Sequence, residues 1–185
     1  MNKGVVDIDS PNYSLYVDGS CLENTNVGKE TPAGWGLVVV KGDNKLGKGK
    51  GEIIHENLGL VVTDSNLDEY FGAEVGSNNT AELSAIAHAL RWLLVNGENN
   101  SAEICTDSTY AGNIACGKWK AKANKKLAST VQKLWNEVTT IRLLTWRHVR
   151  AHRGHRWKER ADHLAIRAVQ NRSPEPLSFW KPGMR

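Results

Sequence analysis

Tyr13-Ser14-Leu15-Tyr16-Val17-Asp18-Gly19-Ser20 is the stretch on which the reading of this chain turns. Leu15 and Val17 alternate against Tyr16 with the two-residue period of a strand, and Asp18-Gly19-Ser20 is a turn-forming end. A carboxylate is thereby left at a strand terminus. Beyond a polar loop that runs to Pro32, residues 34–40 are rich in Val and Trp and form a second strand, closed by Lys41-Gly42-Asp43-Asn44. Antiparallel pairing of the two is the simplest expectation. Residues 52–63 and 69–75 both read as strands, and the pattern leaves open which of them is the third strand of the main sheet.

Further along, Leu83, Ile86, Ala87, Leu90, Leu93 and Leu94 recur at helical spacing within residues 78–95, and Asn96-Gly97 closes that helix. Glu82 falls in its first turns. Residues 101–106 make a buried-type strand ending at Asp107, and residues 108–116 turn at once into a helix. Residues 124–138 form a second clear helix, residues 140–150 a strand, and residues 158–170 a last helix that carries Asp162. Early strands followed by alternating helices and strands give an α/β domain with a mixed sheet flanked by helices. In such sheets functional side chains gather at strand ends and helix starts around one crevice.

The length of 185 residues fits one domain with a real core. Residues 1–12 read as an N-terminal extension, 13–172 as the domain proper, and 173–185 as a tail that is either disordered or laid over the domain, with exposed-looking Phe179 and Trp180. Lys and Arg number 24 against 20 Asp and Glu, and the pI is near 9.0, a modest basic excess that becomes informative through its clustering. Lys118, Lys120, Lys122, Lys125, Lys126 and Lys133 form one basic run; Arg147, Arg150, Arg153, Arg156, Lys158 and Arg160 form another. Either run could be a plain solvated face or a nucleic-acid footprint. Cys21, Cys105 and Cys116 have neither zinc-site pairing nor the even count of a secreted framework, which points to a reducing compartment. With no apolar run of signal-peptide or membrane-spanning length, the expectation is a protein that is not secreted and has no membrane partner, working in the cytoplasm, nucleoid or nucleus.

Asp18, Glu82, Asp107 and Asp162 lie on four separate segments, each where a carboxylate could reach a common site. Singly, each has an ordinary explanation as a turn former, a helix-dipole partner or a helix cap. Together they form an oxygen-only donor set, which suits magnesium or manganese and therefore phosphoryl-transfer chemistry.

The surroundings of these acids carry a resemblance. Tyr16-Val17-Asp18-Gly19-Ser20-Cys21, Asn78-Asn79-Thr80-Ala81-Glu82-Leu83, Thr106-Asp107-Ser108-Thr109-Tyr110, and His152-Arg153-Gly154-His155 followed by Arg160-Ala161-Asp162-His163-Leu164-Ala165 resemble, in order, the catalytic motifs of type 1 ribonuclease H. The likeness extends from Tyr13 to about Gln170. It implies a ribonuclease H-like fold with a mixed sheet of about five strands. It also implies an endonuclease that cuts the RNA strand of an RNA/DNA hybrid to leave 5′-phosphate and 3′-hydroxyl ends. Asp18, Glu82, Asp107 and Asp162 would hold two Mg2+ ions, with Mn2+ able to substitute, about 4 Å apart across the scissile phosphate. Asp18 would bridge both ions and Asp162 would serve the water-activating side.

His152 matches the family's loop histidine, which assists the water, a proton or product departure, work for which an imidazole side chain is suited. Asn24, Asn78 and Asn79 match minor-groove and backbone contacts, where amides meet base edges and 2′-hydroxyls. Ser77 and Asn124 match a phosphate pocket for the DNA strand, while Cys21 and Thr109 stand next to catalytic acids and would touch the RNA backbone.

The chain also departs from the pattern. Many relatives insert a basic, Trp-rich helix and loop between the positions of Tyr110 and Asn124, and here that protrusion is missing or reduced to a loop. Trp157, Arg153, Arg156, Trp180, Lys181 and Arg185 would supply substitute cations and aromatic planes, so loss of the tail should raise KM more than it lowers turnover. An expansion lies somewhere in residues 45–75, in the form of an added hairpin. The few residues before Tyr13 leave no room for a hybrid-binding module, and low processivity of a monomer is expected. The alternatives are the ribonuclease H domain of a retroelement polyprotein, with a polymerase as partner, and a non-catalytic hybrid-binding module. Retention of every acid argues against the last, because converging carboxylates repel phosphate when no metal is present.

Overall fold

The computed structural model describes residues 11–96 and 100–185. Most of the N-terminal extension, and Gly97 of the expected helix stop, lie outside the described residues. The elements in chain order are β1 (Tyr13–Cys21), β2 (Ala33–Lys41), β3 (Glu52–Leu60), α1 (Asn78–Val95), β4 (Ala102–Thr106), α2 (Thr109–Ala115), α3 (Lys125–Ile141), β5 (Leu144–His148) and α4 (Arg156–Val169). The strands form one mixed sheet in the order β3-β2-β1-β4-β5. β1 to β3 make an antiparallel meander, and β4 and β5 are added parallel to β1. Parallel neighbours require a crossover, which α1 supplies between β1's meander and β4 and α3 between β4 and β5.

β1 is the central strand, and Tyr13 to Asp18 are all buried. Leu15 and Val17 join Leu37 and Val39 against Leu83, Ile86 and Leu90 of α1 and Val131 of α3. Tyr16, Val38, Val40 and Cys105 face the other way, onto Trp157, Ala161 and Leu164 of α4. Each such buried aliphatic contributes about 1.5–3 kcal/mol relative to exposure. A strand apolar on both faces is what helices on both sides of a sheet demand. α4 can lie this close to β2 because position 36 is glycine, where a Cβ would come 2.3 Å from the Ala161 carbonyl oxygen.

One open question closes and two expectations change. The third strand is β3, an edge strand whose residues alternate between half-buried and exposed. Residues 69–75 form no strand; Phe71 and Ala73 are buried in the core shared by α1 and α3, with Phe71 edge-on to His88 of α1. The expected strand at residues 140–150 contracts to β5. Thr140, expected to open the strand, lies with Thr139 in the last turn of α3, their hydroxyls donating to the Glu137 and Asn136 carbonyls, which satisfies the side chains within the helix.

The tail is laid over α4. Glu175 N donates to His163 Nε2 at 2.9 Å, and Arg160 donates to the Glu175 carbonyl at 2.7 Å while it grips Glu56 of β3 with two further bonds. Trp180, which the sequence left exposed, is 2% exposed, with the guanidinium carbons of Arg156 and Arg160 5.5 and 5.4 Å from its ring centroid. Phe179 beside it is 73% exposed.

Candidate active site

The parallel pairing of β1 with β4 builds the centre. Tyr16 is opposite Cys105, so two residues further on Asp18 and Asp107 reach the same edge of the sheet. Glu82 arrives from α1, whose first turn is held by Ser77: its hydroxyl accepts from Thr80 N at 3.1 Å while Thr80 Oγ1 accepts from Ser77 N at 2.8 Å, a reciprocal cap. Gly19 lets α1 come in close, because a Cβ there would lie 2.6 Å from Glu82 N. The Gly19 amide donates to both Asp18 Oδ1 (2.9 Å) and Glu82 Oε1 (3.1 Å), and Thr106 Oγ1 donates to Glu82 Oε2 at 3.4 Å. Asp18, Glu82 and Asp107 each offer an oxygen within 4.8 Å of the others'. These oxygens and their spacing fit a hard divalent cation.

Lys158 stands in their midst, a residue that the sequence reading had placed only in a basic run. Its ammonium is 2.7 Å from Asp18 Oδ2 and 3.3 Å from Asp107 Oδ1. Burial disfavours its charge, but Asp18, Glu82 and Asp107 outweigh that and hold its pKa above the ordinary lysine value. Burial, then the neighbouring Asp18 charge, pushes the Glu82 carboxyl well above its usual range. The signal that could have found Lys158 is its position four residues before Asp162 on one helix, which puts both on the same face.

Asp162 lies outside this tight group, though near enough to feel it. Burial and then Asp18 raise its pKa to about 6, against opposing pulls from Lys158, His152 and Arg185. With His152, Glu159, Gly183, Met184 and Arg185 it lines a cleft of about 260 Å3. His152 is exposed, has a positive φ of 52°, and meets the Arg185 guanidinium at 3.3 Å through Nδ1. The tail therefore reaches the site itself.

The loop after β2 braces the segment that carries His152. Gly47 O accepts from Arg156 N at 2.9 Å and Lys50 O from Trp157 Nε1 at 3.1 Å. Tyr16 donates to Asp43 and receives Arg147 Nη2 at 3.3 Å. His155 Nδ1 accepts from Lys158 N, so Nε2 carries the proton and faces the Tyr16 oxygen at 3.4 Å. Trp157, expected to meet substrate, is 5% exposed and belongs to the core, as does Trp180. Neither can stack on a base.

The remaining expected contacts are scattered around the rim. Asn24 Oδ1 accepts from Asn78 N at 3.0 Å, tying the loop after β1 to the start of α1. Asn78, Asn79 and Thr109 are exposed, Cys21 is half-buried at the end of β1, and the Ser77 hydroxyl is committed to its cap. Asn124 precedes α3 in a left-handed conformation, φ 54°, with no capping bond from its side chain. Residues 116–124, which join α2 to α3, contain no helix. Lys118, Trp119, Lys120 and Lys122 there line a cleft of about 580 Å3 with Asn79 and Tyr110, and Trp119 is 44% exposed.

The RNase H family model matches residues 10–170. Ribonuclease H of Cupriavidus pinatubonensis is 32% identical over 166 residues, covering 84% of this chain and 93% of that protein. Ribonuclease H of Neisseria meningitidis is 32% identical over 172 residues, covering 88% and 97%. The same fold occurs in RNase H1 of the archaeon Halobacterium salinarum, with a TM-score of 0.61 and 23% identity over 86% of this chain and 98% of that one. It occurs also in LC11-RNase H1, solved in complex with an RNA/DNA hybrid, with a TM-score of 0.59 and 21% identity over 86% and 97%. A matched family model over most of the chain, on a sheet that brings the acids of three motifs to one point, makes this protein a member of the ribonuclease H family of nucleases.

Proposed function

We propose that the protein hydrolyses the RNA strand of RNA/DNA hybrids, leaving 5′-phosphate and 3′-hydroxyl ends, with Asp18, Glu82, Asp107 and Asp162 as ligands of two divalent ions, Mg2+ in the first place. The observation that carries this reading is the convergence of Asp18, Glu82 and Asp107 oxygens within 4.8 Å, just beyond the parallel pairing of β1 with β4. When bound, the ions would lower the pKa of the attacking water and stabilise the departing 3′ oxygen.

The chain's own residues do the rest. Glu82 and Asp18 are aimed by the Gly19 amide and Asp107 by the end of β4, so the ligands need little reorganisation. Asp162 supplies the fourth carboxylate from the opposite side, and His152 at the mouth of the cleft exchanges protons with the reacting water and product. Asn78, Asn79 and Thr109 meet the hybrid along the exposed rim, joined by Cys21, Asn24 and Asn124. Lys118, Lys120, Lys122 and Trp119 take the place of the missing protrusion. The catalytic domain is residues 13–172 with segment 173–185 packed on it, acting as a monomer in the cytoplasm or nucleoid. Among the described residues no helix is long and apolar enough to cross a membrane.

The test is product analysis. Fragments of a hybrid cut in Mg2+ should accept a label from a 3′-hydroxyl-dependent ligase and resist 5′-phosphorylation until treated with phosphatase. Fragments ending in 3′-phosphate or cyclic phosphate would reject the proposed chemistry.

A further inference from the structure

Lys158 is the buried charged group at the centre to which the proposed reaction gives no task. Its side chain is 2% exposed, and its ammonium sits between Asp18 and Asp107, 2.7 and 3.3 Å away. Glu82, with an oxygen within 4.8 Å of theirs, completes a group of three carboxyls beside one ammonium. Without it these carboxylates would repel one another across a poorly hydrated space. The lysine is fixed there by the first turns of α4, where His155 Nδ1 accepts from the Lys158 amide and Trp157 is anchored to the Lys50 carbonyl.

We propose that Lys158 is a resident cation that holds the metal-free centre together and must be displaced when a divalent ion loads, so that it sets how much metal the enzyme needs. The inference rests on the reading of this centre as a metal site. An ammonium within ion-pair distance of both Asp18 and Asp107 occupies the space where an ion shared by those carboxylates would bind, and a divalent cation must approach the same oxygens at about 2.0–2.6 Å. Both cannot stand between the two residues. Lysine suits such a role because its charge is a compact point on a flexible stem that can swing aside, whereas a rigid guanidinium fork would not. By linkage, whatever free energy the ammonium gives to the empty centre is subtracted from metal binding.

The experiment is a Mn2+ titration of the full chain, native, Lys158→Met and Lys158→Gln, with free Mn2+ read by electron paramagnetic resonance. Melting temperatures are recorded alongside in chelator and in excess Mn2+. The expected result is that both variants bind Mn2+ at least about tenfold more tightly than the native chain, or 1.4 kcal/mol. They should also melt lower than native in chelator and gain more from Mn2+. Lys158→Gln removes the charge but keeps a polar tip, so it covers the case in which Lys158→Met does not fold without metal. Equal or weaker Mn2+ binding by folded variants, with the native chain binding normally, would overturn the inference while leaving the metal site intact. Absence of Mn2+ binding in native and variant chains alike would sink the metal reading itself, and this inference with it.

Discussion

The two halves of the candidate site are held by different means. Asp18, Glu82 and Asp107 stand on β1, α1 and the end of β4, elements locked by sheet pairing and by a core of fully buried side chains. Asp162 and His152 stand on α4 and the loop before it, and that loop is braced by irregular chain: the segment after β2 on one side and the tail on the other. Regular structure places the inner acids through register. In the outer half Asp162 is carried by α4, packed on the sheet through Ala161 and Leu164, whereas His152 depends on a few long-range contacts, each of which one substitution can remove. The inner half should therefore fail chemically without unfolding, and the outer half should fail by loosening.

The largest effect is expected at Asp18, where Asp18→Asn should lower turnover by a factor of about 1,000 or more with the fold retained. Circular dichroism alongside single-turnover rates would check it, and a merely tenfold loss would break the contrast. Next comes Trp180→Ala, which empties the space between Arg156, Arg160 and His163 and should cost about 3–5 kcal/mol in urea unfolding. Phe179→Ala, one residue away and exposed, should stay within roughly 0.5 kcal/mol of native. Equal costs for the two would mean that the tail does not pack as described.

His152→Ala should reduce turnover by about 100-fold or more and leave KM nearly unchanged; an unchanged turnover number would remove His152 from the reaction. The smallest effect is a pH dependence. The Asp162 carboxyl has its pKa raised from 3.8 to about 6 in the folded chain, so the metal-free fold binds its proton more tightly than the unfolded chain does. That contribution is complete below the unfolded value and is lost as pH rises through about 6. In chelator, Asp162→Asn should thus be more stable than native at pH 8 by roughly 1–2 kcal/mol, the gap closing as pH falls through this window. If Asp162 is the proposed fourth ligand, Mn2+ should reverse the order at pH 8, because the charged form would then bind the ion. A pH-independent difference would place Asp162 away from the centre.

The same division decided what could be read from the amino-acid order. The period-two run at β1 and the helical spacing of α1 are local patterns, and they put Asp18 and Glu82 on the right elements. The cluster of Asp18, Glu82 and Asp107 was legible because each acid sits within its own motif, although β1 does not end at Asp18 as expected but runs on to Cys21, paired with β2. Local pattern failed where the partner is distant. Trp180 looks exposed until Arg160, twenty residues earlier, folds beneath it, and Phe71 reads as strand until α1 and α3 enclose it. Thr139 and Thr140 favour a strand by propensity, yet α3 continues through them because packing of Val131, Trp135 and Val138 carries the helix on. Lys158 was hidden by its basic neighbours, since charge runs usually mark solvent and nothing local says that this one lysine points inward.

The central claim is that the converging acids make a metal-dependent hybrid nuclease. It is tested most directly with a labelled RNA/DNA hybrid beside RNA/RNA and DNA/DNA duplexes, each with Mg2+ or chelator, using the native chain and Asp107→Asn. The account predicts cleavage of the RNA strand of the hybrid alone, only with metal, and lost in the variant. Tight hybrid binding without cleavage in either Mg2+ or Mn2+, or cleavage that persists in chelator, would contradict it.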